Sequence, residues 1–248
     1  MVQEHKSLQK PLPVAIFIFT GMWLNEGGQS ATGKLIDHIL ESHPAFTELR
    51  QDSNPYSILS NIITTLSTAQ SIPEYQLAKD LHVYPDFHGN RSPLANPKMK
   101  GMICGLTLNN SRDDLAVLYL ATLQSVIYGT KHIMEEMEAK GHDISAVYMC
   151  GGLIKNILFV QMTADILNKP VVVSEEPESV LVGAALLGVC AHEKKSLSEV
   201  IDTVKCDGTV YSPNEESQVY HCKKYKVFRK MCSDQQAYND IMNASNTQ

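Results

Sequence analysis

Six cysteines occur in 248 residues, at 104, 150, 190, 206, 222 and 232, and none forms a C-x-x-C pair. Their separations of 46, 40, 16, 16 and 10 residues fit no zinc pattern, which excludes a cysteine-based metal site. Long apolar runs are missing as well. The longest early one, Val14–Phe19, has six residues, against roughly twenty for a membrane span, and no secretory leader is visible. The cysteines therefore read as reduced thiols and the protein as cytoplasmic. Positive charge is short: 21 Lys and Arg stand against 27 Asp and Glu, a net charge of −6. That balance argues against non-specific nucleic-acid binding, which needs a basic surface. There is one Trp, no Walker A pattern, no internal repeat and no Ser/His/Asp or Cys/His nucleophile spacing. The remainder, 44% hydrophobic and 19% charged, excludes a disordered, collagenous or coiled-coil chain. The length suits one large domain or two small ones.

Periodicity places the elements. Met1–Pro13 is polar and reads as a frayed arm or extension, and Val14–Phe19 as a short buried strand. Gly21–Gly33, GMWLNEGGQSATG, feeds a helix over Ala31–Ser42, with Leu35, Ile36, Ile39 and Leu40 on one face and Ser30 as N-cap. Pro44–Ser53 is irregular; Pro55–Gln70 is a helix with Pro in its first turn. Leu81–Ser92 is a strand entering a loop, and Gly101–Leu108 is a strand. Ser111 and Asp114 form a capping box before the longest helix, about Arg112 to Lys140, closed by Gly141. Its Tyr and Met positions belong to the core, and Glu135, Glu136 and Glu138 to a solvated face.

Next come a buried strand (Ala146–Cys150), a Gly151–Gly152 turn, a helix (Asn156–Leu167), a buried strand (Lys169–Ser174) and an Ala- and Leu-rich helix (Ser179–Cys190). This is βαβ spacing and implies a parallel pair with a right-handed crossover. Lys205–Asn214 is loop-like, and Tyr220–Asn243 a polar amphipathic helix whose Lys223, Lys224, Lys226, Arg229 and Lys230 form a solvated stripe.

Three places suit chemistry. Gly151 and Gly152 lie between a strand and a helix, where missing Cβ atoms admit a ligand to the backbone and to the helix N-terminus. Nucleotides bind at such carboxyl ends of strands, and Asn156, one turn on, suits a ribose or base edge; a plain tight turn fits the same residues. Asn25–Gly33 also ends at a helix, with Asp37 one turn after Gly33; turns, close packing and a solvated charge fit these equally. The loop Pro85–Pro93 gathers Asp86, His88, Gly89, Asn90 and Arg91. Arg91 suits a phosphate or a partner carboxylate, while a structural hydrogen bond is the commoner role for His88.

Taken in order, GMWLNEGGQSATGK, DFHGNRSP, GMICGLTL, CGGLIKNILFVQMTAD and ESVLVGAALLG resemble the C-terminal half of the FGGY carbohydrate kinases, from about Gly21 to Asn243. The similarity is greatest to a D-ribulokinase-like branch. The resemblance implies an α/β fold, an actin-like ATPase or ribonuclease H-like domain with a mixed sheet flanked by helices. It divides the chain into a poorly matched extension (1–20), the nucleotide-binding domain (21–204) and a C-terminal loop and helix packing on it (205–248).

The resemblance implies transfer of a phosphoryl group from ATP, with Mg²⁺, to a sugar hydroxyl, a pentulose such as D-ribulose. By residue it implies nucleotide contacts at Gly33, Asp37, Gly151, Gly152 and Asn156, a cleft loop at Gly89, Asn90 and Arg91, and packing beneath the site by Gly183–Ala185. The family's catalytic Asp and its Gly-Thr-Ser phosphate loop belong to a preceding domain and match nothing in this chain. The chain alone is therefore expected to bind nucleotide weakly and to show no turnover, with sugar bound only beside a complete N-terminal domain. A non-catalytic nucleotide-binding or regulatory module is the alternative. A homo-oligomer or a pairing with a full-length relative stays open; no membrane or nucleic-acid partner is expected.

Overall fold

The structure is a computed structural model that describes residues 2–4, 15–19, 22–52, 54–201 and 207–244. It divides into two compact units, Met1–Ile144 with Glu216–Gln248, and Ser145–Glu215.

The first unit opens with strands β1 (Val2–Glu4), β2 (Ala15–Phe19) and β3 (Met22–Asn25), an antiparallel sheet in the order β1-β3-β2. Val2–Glu4 is thus a strand paired to β3, where an arm was expected; residues 1 and 5–13 of that arm lie outside the described residues. Helix α1 (Gly33–Ser42) buries Leu35, Ile36, Ile39 and Leu40, the face its spacing predicts. Its N-cap is Thr32, not Ser30, because the first helical bond runs from Ile36 N to Thr32 O at 3.1 Å. The stretch after it holds a short helix, α2 (Phe46–Leu49), whose Leu49 is fully buried. Helix α3 (Pro55–Gln70) starts as predicted, with Pro at its first turn and Asn54 Oδ1 accepting from Ser57 N.

Strands β4 (His82–Tyr84) and β5 (Met102–Cys104) pair antiparallel. β5 is shorter than the predicted 101–108 run because Gly105 turns the chain at φ +98°. Helix α4 (Arg112–Glu138) begins with Ser111 Oγ accepting from Asp114 N and is followed by Gly141 at φ +92°. It packs against α1, α3 and β4, and eighteen of its 27 residues are buried, among them Tyr119, Tyr128, Met134 and Met137.

In the second unit β6 (Val147–Met149) and β7 (Val171–Ser174) are parallel, with Val147 opposite Val171. Between them runs α5 (Ile157–Leu167). Val160, Ala164 and Val171 form its small core, covered by Val147, Met149, Ile154, Val173 and Tyr211. β6 is not the buried strand expected: its middle residue, Tyr148, is 79% exposed, so only alternate residues face that core. Helices α6 (Ser179–Glu193) and α7 (Leu197–Ile201) follow. α6 buries no residue, and a Cβ on Gly183 would meet nothing within 4 Å. The expected packing by Gly183–Ala185 is therefore absent among the described residues. The predicted loop 205–214 contains a strand, β8 (Gly208–Tyr211), antiparallel to β7, giving the order β6-β7-β8; residues 205 and 206 lie outside the described residues.

The last helix, α8 (Glu215–Asn243), starts five residues before the predicted Tyr220. It corrects one surface assignment. Lys224 is 6% exposed, and its Nζ donates to Ala78 O (2.6 Å) and Leu81 O (2.7 Å) and lies 3.0 Å from His82 Nδ1. Burial lowers its pKa to about 8. Glu135 accepts from Tyr225 Oη at 2.5 Å and faces Arg229 Nη1 at 3.5 Å. A charge on an amphipathic helix says nothing about which carbonyls or hydroxyls the next element brings to it.

Candidate functional site

The strand–turn–helix of the second unit is built residue by residue. After β6, Gly151 takes φ +88°, ψ −171°, a region that only glycine occupies without strain. Gly152–Lys155 forms a single 3₁₀ turn, and Asn156 caps α5 by accepting from Phe159 N at 3.2 Å. Gly152 differs from its neighbour. Its φ is outside the positive range, and a Cβ there would meet nothing within 4 Å. Backbone conformation requires glycine at 151, and neither backbone nor packing requires it at 152. The missing side chain leaves open space in front of an exposed turn, where a ligand's approach to the backbone is unobstructed. Asn156, predicted to reach a nucleotide, spends its side-chain oxygen on the cap.

In the first unit Gly33 is the first residue of α1, exposed, and again a Cβ would meet nothing within 4 Å. One turn on, Asp37 is half-buried and accepts from Tyr56 Oη at 2.5 Å. That hydrogen bond, ahead of burial, raises the Tyr56 pKa to about 12. Tyr56 stands in the first turn of α3, and its sequence signal was only that of a helix start.

The loop Pro85–Pro93 is braced from below. Asp86 is buried and accepts from Tyr84 Oη (2.6 Å) and Asn90 Nδ2 (2.8 Å). Burial raises its pKa, and the two hydrogen bonds oppose that rise. Asn90 Oδ1 accepts from Leu94 N at 2.9 Å, and Asn90 bridges Asn96. Asn90, predicted to line a cleft, is thus turned into the protein as a brace. Gly89 turns the loop at φ +73°, and His88 is exposed.

Arg91 leaves this loop and pairs with Glu26, with Gly28 beneath its guanidinium. The Gly-rich segment is tied on its other side by Gln29 Nε2, which donates to Val126 O (2.8 Å) and Thr130 Oγ1 (3.1 Å) on α4. The contact needs Gly129, where a Cβ would lie 2.5 Å from Gln29 Oε1. No sequence pattern joined residues 26–29 to residue 91.

Among the described residues no three of His, Cys, Asp and Glu converge to hold a metal, so they supply no protein-only site for Mg²⁺. No helix there is long and apolar enough to cross a membrane.

Comparison with known proteins fits this geometry. The profile of the FGGY family of carbohydrate kinases, C-terminal domain, matches residues 3–192. The FGGY carbohydrate kinase domain-containing protein of Xenopus laevis is 54% identical over 90% of this chain and 41% of its own length. The human protein of that name is 51% identical over the same shares. D-ribulokinase of Saccharomyces cerevisiae is 41% identical over 70% of this chain and 25% of its own length. The chain thus spans about two fifths of the first two relatives. The structure of a ligand-bound xylulose kinase from Lactobacillus acidophilus superposes with a TM-score of 0.73 at 20% identity, over 95% of this chain and 45% of the other. Plasmodium falciparum glycerol kinase with ADP gives 0.63 at 20% identity, over 85% and 38%. Both show the actin-like fold of these sugar kinases. By profile, relatives and fold, this chain belongs to the FGGY family of carbohydrate kinases and carries its C-terminal domain.

Proposed function

We propose that this chain is the nucleotide-binding part of an ATP-dependent kinase that phosphorylates a sugar hydroxyl, with a pentulose of the D-ribulose type as substrate. The reading assigns nucleotide contacts to Gly151, Gly152 and Asn156 in the second unit and to Gly33 and Asp37 in the first. Gly89 and Arg91 belong to a cleft loop that Asn90 braces. No residue of this chain is assigned as the catalytic base, so the chain alone turns over no sugar. Mg²⁺ accompanies the nucleotide's phosphates. The substrate class is supported by the relative named D-ribulokinase. The cytoplasmic reading is supported by free thiols at Cys104, Cys150, Cys190, Cys222 and Cys232.

The observation that carries the reading is Gly152, a glycine that neither backbone conformation nor packing requires. Open space before a strand–turn–helix gives a nucleotide access to the backbone and the helix N-terminus. Phosphoryl transfer rests mainly on positioning and charge stabilisation, and this turn supplies positioning.

The test is thermal unfolding with and without Mg-ADP. Ligand at about one hundred times its Kd adds roughly 2.7 kcal/mol, a shift of a few degrees for a chain of this size. Gly152→Val, whose Cβ would meet no atom within 4 Å, should fold and lose the shift. Asn156→Asp keeps the helix cap and should reduce the shift. An undiminished shift in Gly152→Val overturns the assignment.

A further inference from the structure

The Arg91–Glu26 pair is exposed on both sides, 59% for the arginine side chain and 42% for the glutamate. Its surroundings are more ordered than an ordinary surface pair requires. Arg91 follows a loop held by buried Asp86, by Asn90 and by the Asn90–Asn96 bridge. Gly28 lies under the guanidinium, where a Cβ would stand 3.7 Å from Cζ and Nη1. Gln29, next in sequence, is bonded to α4 at 2.8 and 3.1 Å.

We infer that Arg91 is an anion receptor, that Glu26 competes for its guanidinium, and that a polyphosphate displaces that carboxylate. The inference rests on the nucleotide reading above and adds to it a receptor for the phosphate end and an internal competitor.

Three physical points carry it. An exposed ion pair is weak and screened by salt, so Glu26 is easily displaced. A planar guanidinium binds phosphate oxygens bidentately, and a polyphosphate brings several charges where Glu26 brings one. The braced loop keeps the Arg91 backbone in place once Glu26 leaves, so little ordering is required on binding.

Tripolyphosphate titrated into the full chain by calorimetry at low ionic strength tests this. Glu26→Gln removes the competitor and should tighten binding roughly two- to fivefold, the size of an exposed pair. Arg91→Gln should weaken it about tenfold or more. Arg91→Lys keeps the charge without the fork and should fall between wild type and Arg91→Gln. A Glu26→Gln variant that binds no better than wild type, an Arg91→Gln variant that binds equally well, or no binding by wild type overturns the inference. ADP and Gly152→Val test the nucleotide reading separately. If ADP fails to bind while tripolyphosphate keeps this order, that reading falls and this one stands. If ADP binds while the Glu26 and Arg91 variants match wild type, the reverse holds.

Discussion

Helix α4 carries Arg112, Asp113, Asp114, Lys131 and three glutamates, yet buries eighteen of its 27 residues. Helix α6 has no charged residue from Ser179 to Ala191, yet buries none. Val180 and Leu181 on α6 are 71% and 67% exposed, while Leu120 and Leu123 on α4 are fully buried. Burial is a property of neighbours. α4 has α1, α3 and β4 against it, and several of its buried polar groups are hydrogen-bonded. Thr122 and Ser125 bond to carbonyls of the helix itself, Gln124 donates to Tyr75 O, and Tyr128 Oη lies 2.8 Å from His221 Nδ1. α6 has the composition of a core helix without such neighbours among the described residues.

The comparison is broken or sharpened by three measurements. The largest effect belongs to Leu120→Ala, which should destabilise by ~3 kcal/mol in denaturant unfolding through lost burial and a residual cavity. A loss near zero would mean that the α4 interior is loosely packed.

Acid should probe the polar part of the same interior. Burial lowers the pKa of His221 to about 3 and of His132 to about 4. Both are neutral in the folded chain, whereas unfolded imidazoles take protons near pH 6.5. Stability is therefore fully present above about pH 6.5 and is lost as pH falls toward the folded values. His221 alone should cost ~1 kcal/mol between pH 6.5 and 5.5, with His132 adding in the same direction. A stability flat over that interval would show that acid reaches these rings without unfolding the protein.

The smallest effect should come from Leu181→Gln on α6, within ~0.5 kcal/mol of wild type, as for a surface position. A cost of several kcal/mol in denaturant unfolding would mean that α6 is covered in solution.

Local chemistry made many elements legible. Pro55 marks the start of α3, and Ser111 with Asp114 the start of α4. Apolar spacing alone picked out the buried face of α1. The turn at Gly151–Gly152 was legible because strand, glycines and helix follow directly in the chain. The errors fell where partners are distant in sequence. β8 is a strand because β7 lies beside it, and Lys224 is buried because the carbonyls of Ala78 and Leu81, some 140 residues away, take its ammonium group. Asn90, placed in a cleft loop by resemblance, bonds to Asp86 and Leu94 within the loop's own turn.

Family membership, the α/β class and the glycine-bearing turns follow from residue order, because motif spacing, helical period and capping act over a few residues. The burial of Lys224, the exposure of α6 and the Arg91–Glu26 pair arose only on folding. Each depends on which atom a neighbouring element delivers within hydrogen-bonding or van der Waals reach, and chain-local periodicity carries no record of that.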